Sequence, residues 1–252
     1  MAVNYTLVMR RWDLFRSGSR WIYADEGFRS DLLRAGLNDL ADVSSPDLGT
    51  PVTHHRSSWV RIWKTGSSTY YVKTYDYPTW RDRGRGIGRN TLLAPSRPRR
   101  EQLALNWLQE HGFGGPRVRG VGESRSLGLL RRAVLVTEAW PGETLADLLP
   151  RLDPTRRDQL LGCLTDFVLR LHRAGFRDRN LDLRNLLART QEGGWKIVKL
   201  DSPRFRIARS SDEKDRLARD DWRRLERSVE EIGLSLARRT GMPASPTTGS
   251  TT

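Results

Sequence analysis

The stretch 153–176, DPTRRDQLLGCLTDFVLRLHRAGF, constrains the fold more than any other part of the chain. Leu160, Leu161, Leu164, Phe167, Val168 and Leu171 recur at the spacing of one face of a helix. Asp153 stands where an N-cap belongs, and Pro154 takes the first helical position, where its missing N–H costs nothing. A long helix with one apolar stripe must bury that stripe, and the rest of the chain offers strands as well as helices. SSWVRIWK (57–64) alternates apolar and polar residues, TGSS turns, and TYYVKTY (69–75) continues with strand formers, which predicts a hairpin. AVLVTEAW (133–140) reads as a buried strand closed by Pro141 and Gly142, and GWKIVKLD (194–201) as a strand ending on Asp201. REQLALNWLQEHG (100–112) predicts a helix that stops at Gly112, and DEKDRLARDDWRRLERSVEEIGLSLARR a final, charged one. The pattern is that of a mixed α+β protein.

The charge limits the partners. A net charge of +14 and a pI near 10.8 raise the local concentration of polyanions, whether nucleic acid, anionic lipid or a phosphorylated glycan. Arg-rich usage reflecting base composition is the plainer explanation of the same excess. DYPTWRDRGRGIGRNTLLAPSRPRR (76–100) reads as a long basic loop, a kind usually functional or disordered. No nucleic-acid-binding motif occurs, so no specific nucleic acid is expected. No apolar run approaches the roughly 18 residues that span a bilayer, and the first residues lack the apolar core of a secretory signal. With Cys163 alone there is no disulfide framework, so a cytoplasmic location is expected.

FRDRNLDLRNLLA (176–188) lies directly after the long helix. It nearly matches H-R-D-L-x-x-x-N, the catalytic loop in which an Asp receives a hydroxyl proton and an Asn holds magnesium. Asp178, Arg179, Asn180 and Leu181 take the first four places, and Asn185 the last. Asn180 therefore stands where the base belongs, and an amide accepts no proton at neutral pH. Two carboxylates, Asp178 and Asp182, flank it at two residues' distance, and in an extended loop such residues project to one side. Asp182 is expected nearer the acceptor; capping of the turn by Asp182 is the alternative.

The order of elements around this loop adds to the signal. A strand carries Lys73, a helix follows with Glu101 in its first turn, VTEAWPGETL has the form of a hinge, and the last strand delivers Asp201. Lys73 would neutralise nucleotide phosphates with Glu101 holding its ammonium, while Asn185 and Asp201 would offer oxygens to magnesium. Taken singly, each has a plainer role: Lys73 as an edge-strand lysine, Glu101 as a charge favoured by a helix N-terminus, Asp201 as a turn residue. Together and in this order they resemble a kinase.

YYVKTY, RREQLALNWLQEHG, VLVTEAWPGETL, LHRAGFRDRNLDLRNLLA, KIVKLDSPRFRI and RDDWRRLERSV, spread over residues 50–230, resemble the lipopolysaccharide kinase family of the protein-kinase-like superfamily. Its members phosphorylate core heptose or 3-deoxy-octulosonate sugars. The resemblance implies a bilobal protein-kinase-like fold, with a small β-rich N-lobe (46–140) and a shortened helical C-lobe (141–240). An N-terminal extension (1–45) and a disordered tail (241–252) complete the chain. It implies ATP and Mg2+, with Arg56, Ser57, Lys73, Glu101 and Glu138 on the nucleotide and Asn185 and Asp201 on the metal. Asp182, Asn180 and Asp178 are the residues at the transferring group. The acceptor is an anionic glycolipid or phosphorylated glycan at the inner face of the cell membrane, where Arg81, Arg83, Arg85, Arg97, Arg99 and Arg100 would make peripheral contact.

Two further departures accompany Asn180. Asp201-Ser202-Pro203 stands for Asp-Phe-Gly, and THHRSS (53–58) for a glycine-rich loop, with Arg56 and the Ser57 and Ser58 hydroxyls as phosphate donors. A catalytically silent binding or scaffold module with the same fold is the alternative to an active enzyme.

Overall fold

The computed structural model describes residues 18–37, 39–66, 68–79, 95–208 and 211–236. The chain divides into two compact units, residues 1–106 with 116–139 and residues 107–115 with 140–252.

The first unit is built on a six-stranded antiparallel sheet. In chain order its elements are β1 (Gly18–Ala24), α1 (Glu26–Arg34), α2 (Leu40–Val43), β2 (Thr50–His55), β3 (Ser58–Thr65), β4 (Ser68–Asp76), α3 (Arg97–Glu110), β5 (Val118–Ser126) and β6 (Leu129–Glu138). The strands lie in the order β1-β5-β6-β4-β3-β2, so the predicted hairpin is β3–β4, and β4 is held between β3 and β6. Helix α3 runs from the first unit into the second, which begins at Trp107.

One face of the sheet carries a core of Phe28, Leu32, Leu40, Val43, Trp63, Tyr70, Val72, Val134 and Val136. Phe28 packs edge-on against Trp21, Trp63 and Tyr70. Close approach of α1 and α2 depends on two glycines of β5. A Cβ on Gly120 would stand 2.7 Å from the Phe28 ring, and one on Gly122 would stand 2.3 Å from a Leu40 methyl. Residues 18–43 are thus an edge strand and two core helices of this unit, where the sequence reading set them apart as an extension. The partner of β1 is β5, far along the chain, so this pairing was not visible in the residues themselves.

The second unit holds β7 (Glu143–Thr144), α4 (Leu145–Leu148), α5 (Pro154–Arg173), β8 (Phe176–Arg177), β9 (Leu186–Gln191), β10 (Gly194–Lys199), β11 (Arg206–Ile207) and α6 (Ser211–Glu230). Helix α5 is the long stretch read from the sequence. The Asp153 carboxylate accepts from Arg156 N, and the whole predicted stripe from Leu160 to Leu171 is buried. The strands form a three-stranded sheet, β10-β9-β7, and a two-stranded ribbon, β11-β8. The ribbon brackets the loop of interest: β8 leads into Asp178, and β11 follows Asp201.

Candidate active site

The residues singled out from the sequence fall in both units, and each set is described within its own.

In the first unit, alternation along β4 puts Val72 in the core and turns Lys73 to the opposite face. There the Lys73 ammonium meets the Glu101 carboxylate at 3.0 and 3.3 Å. Glu101 is buried in the second turn of α3, and the lysine side chain keeps 22% of its surface exposed. The ammonium is therefore held but still accessible. It lies 5.6 Å from the centre of the Tyr75 ring, and the Arg97 guanidinium lies 5.5 Å from the same centre. Burial pushes the neighbouring Tyr77 phenol above its ordinary range, against the pull of Arg97 and Arg100.

Arg56 and Ser57 form the two-residue turn between His55 and Ser58, exposed at the tip of the hairpin that precedes the Lys73 strand. Glu138 lies at the end of β6. Its carboxylate takes the Arg119 guanidinium at 2.6 Å, Arg119 also reaches Asp25 at 3.2 Å, and its amide donates to Arg117 O. The next amide, that of Ala139, donates to Thr69 O. The Glu138 side chain and these two amides are thus engaged at the end of the sheet. Residues 80–94, which include Arg81, Arg83 and Arg85, lie outside the described residues, as does the predicted tail.

In the second unit the loop after β8 is wound around Asp201. The Asn180 amide donates to the Asp201 carboxylate and to its carbonyl, both at 3.3 Å. The Asn185 amide donates to Asn180 O at 3.2 Å, and Leu200 N donates back to Asn185 O at 2.9 Å. With its NH2 group spent on the backbone, Asn185 turns its side-chain oxygen to other uses. An amide at position 180 also removes a conflict: an aspartate there would set two carboxylates near contact.

Of the two flanking carboxylates, neither takes the place expected of a base. Asp182 accepts from Arg184 N at 3.0 Å and is gripped by the Arg184 guanidinium at 2.9 and 2.8 Å. That side-chain pairing, first among the causes, holds its carboxyl below the usual range and makes it a poor proton acceptor. It caps the short 3-10 turn Leu183–Asn185, which presents Asn185. Asp182 thus makes the turn-capping contact that the sequence reading held as the alternative.

Asp178 is buried beside Lys199, with 2.9 Å between carboxylate and ammonium. Burial pushes its carboxyl up to about 6, Lys199 pulls it down, and Asp221 and Asp201 add to the rise. The Lys199 ammonium also donates to Asp201 O at 2.6 Å.

Two charged residues of this network were not singled out from the sequence. Lys199 sits in KIVKLD two residues before Asp201, and a lysine inside an apolar strand was the available signal. Asp221 lies in RDDWRR on α6, where its neighbours disguise it as one of many surface charges. It is buried, and its carboxylate accepts from Asp178 N at 3.1 Å and Arg179 N at 2.7 Å. The second bond pins Arg179 at a φ of 59°, a left-handed conformation that a non-glycine residue rarely holds. His172 Nε2 meets the same carboxylate at 3.2 Å, and burial lowers the pKa of this imidazole.

The donor set suits magnesium, which takes one or two carboxylates plus other oxygens and the phosphates of a substrate. Asn185 and Asp201 supply an amide oxygen and a carboxylate. Among the described residues no group of three or more His, Cys, Asp or Glu forms an all-protein cage. No helix among them is long and apolar enough to cross a membrane.

Residues 55–240 match the family model described as the lipopolysaccharide kinase (Kdo/WaaP) family. Among solved structures, WaaP in complex with acyl carrier protein is similar at 18% identity, covering 86% of this chain and 83% of that one, with a TM-score of 0.59. The Rio2 kinase of Chaetomium thermophilum, in an ADP/Mg2+-phosphoaspartate complex, aligns at 15% identity over 78% of this chain and 60% of its own, with a TM-score of 0.47. The bifunctional kinase-methyltransferase WbdD aligns at 21% identity over 66% and 33%, with a TM-score of 0.43. A comparison with curated proteins finds no significant match. The likeness to WaaP shows a shared mixed α+β fold.

Proposed function

Because the chain belongs to the lipopolysaccharide kinase (Kdo/WaaP) family, and is accordingly a phosphotransferase, we propose that it moves the γ-phosphate of ATP to a sugar hydroxyl of a lipopolysaccharide-type glycolipid core. The observation that supports this reading is the Lys73–Glu101 pair: an ammonium held at 3.0 Å by a buried carboxylate, on a side chain that stays part-exposed.

In this reading Lys73 neutralises the nucleotide phosphates, and Arg56 with the Ser57 hydroxyl donates to them from the hairpin turn. Asn185 and Asp201 hold magnesium, which when bound offsets the charge on the phosphoryl oxygens. Asn180 restrains the Asp201 carboxylate through its NH2 group. No carboxylate of the loop serves as base: Asp182 is tied to Arg184, and Asp178 is sealed against Lys199. The hydroxyl proton leaves to phosphate or solvent. Phosphoryl transfer tolerates this because positioning and charge stabilisation supply most of the rate, and a general base adds about 10²–10⁴-fold. A slow enzyme is the expected result. The acceptor is anionic and lies at the cytoplasmic face of the membrane, where the net charge of +14 favours its approach.

A second reading, a binding module with little turnover, is favoured by Asn180 itself. One experiment separates the two. Purified protein is incubated with γ-labelled ATP, Mg2+ and a core-glycan extract, beside its Lys73→Ala and Asp201→Ala variants. Label in the glycan that both variants abolish supports the kinase. No label, together with a Mg-ATP thermal shift that both variants lose, supports the binding module. No label and no shift defeats both readings.

A further inference from the structure

Lys199 is a fully buried lysine whose ammonium has two partners, the Asp178 carboxylate at 2.9 Å and the Asp201 carbonyl at 2.6 Å. Its side chain is closed off from solvent. Stability does not explain it, because a buried ion pair replaced by apolar groups of similar volume is often neutral or stabilising. Its location offers another explanation. Asp178 is fixed in turn: Asp221 of α6 accepts from its amide and from that of Arg179, whose left-handed backbone follows from that grip. A continuous series of bonds therefore runs from α6 through the loop and Lys199 to the main chain of Asp201.

We propose that Lys199 is a positioning residue for the metal site: neutralised by Asp178 and anchored through Asp221, it fixes the Asp201 carbonyl and thereby the direction of the Asp201 carboxylate. The inference rests on the magnesium reading of Asn185 and Asp201 above. Asn180 donates at 3.3 Å both to the carboxylate and to the same carbonyl, so Lys199 and Asn180 share the main-chain oxygen of Asp201. Lys199 grips the carbonyl at 2.6 Å and is the firmer of the two.

The single variant Lys199→Met strands a buried carboxylate and is expected to lower the melting temperature, so it does not separate folding from positioning. The double variant Asp178→Asn, Lys199→Met removes both charges at nearly constant volume. It is expected to melt within a few degrees of wild type while binding Mn2+ about tenfold or more weakly, the range typical when a group that orients a metal ligand is removed. Mn2+ affinity is measured by electron paramagnetic resonance with a non-hydrolysable ATP analogue present. A double variant that melts like wild type and binds Mn2+ equally well overturns the proposal. If the double variant loses both fold and affinity, while a pair of apolar replacements at 178 and 199 restores both, Lys199 is merely structural and the proposal also falls. Wild type that takes up no Mn2+ removes the magnesium reading, and this inference with it.

Discussion

Each unit contains a lysine on a sheet strand paired with a carboxylate, and the two pairs are built for opposite ends. Lys73 meets Glu101 at 3.0 Å with 22% of its side chain exposed, whereas Lys199 meets Asp178 at 2.9 Å with none. The distances are alike, so exposure makes the difference. A part-exposed lysine side chain lies within reach of an arriving phosphate. A sealed one spends its charge on the protein, through the Asp201 carbonyl. The same salt bridge, read from distance alone, would hide this. Burial decides whether a charge acts on a ligand or on the backbone, since the cost of removing it from water must be met by whatever surrounds it.

The comparison is broken most sharply at the sealed pair. Lys199→Met leaves Asp178 buried without a partner, and a loss of about 3–5 kcal/mol is expected, read as a lower midpoint in chemical denaturation. The pH dependence has a definite sign. Asp178 titrates near 6 in the folded protein, above its unfolded value of roughly 4. Folding thus takes up a proton between these values, and the stability this group confers is full at the acid end and falls as pH rises through 6. Without Lys199 to hold it down, the folded pKa rises further. The gap between Lys199→Met and wild type should therefore be widest near pH 8 and narrow as pH falls towards 5.5. A gap independent of pH would mean that Asp178 is not the stranded group.

At the open pair the expected losses are in turnover. Lys73→Ala should cost about 10²–10³-fold in kcat/KM, as when one donor to a developing charge is lost, with little change in melting temperature. A large fall in stability instead would make Lys73 a structural residue like Lys199. Glu101→Gln keeps an oxygen beside the ammonium and should cost about tenfold in turnover, the scale of a lost orienting partner. Smallest is Asp182→Ala, which removes the cap of the 3-10 turn and its Arg184 pair. About 1 kcal/mol of stability is expected to go, with turnover falling far less than the 10²-fold that a lost base would produce. A 10²-fold fall there would restore Asp182 as the base.

What could be read along the chain was whatever depends on neighbours in sequence. The stripe of α5 and its Asp153 cap, the β3–β4 hairpin, and the order Lys73, Glu101, Asn180, Asn185, Asp201 are all local patterns or a succession of them. The pairing of Lys73 with Glu101 followed from that order, because a strand-borne lysine and a first-turn glutamate recur together in kinase-like chains. Lys199, Asp178 and Asp221 gave no such signal. Asp178 and Asp182 stand at equal distances from Asn180; Asp178, in the place of the bracing His, was expected behind the loop, but the Arg184 pairing of Asp182 had no sequence signal. Lys199 lies 21 residues from Asp178, and Asp221 lies 43 residues from the amide it accepts. The free energy of an ion pair depends on how much water its partners lose, and that is decided by side chains brought in from α5, β10 and α6. Desolvation is a property of the packed interior, so the roles of these carboxylates were settled only where the chain closed around them.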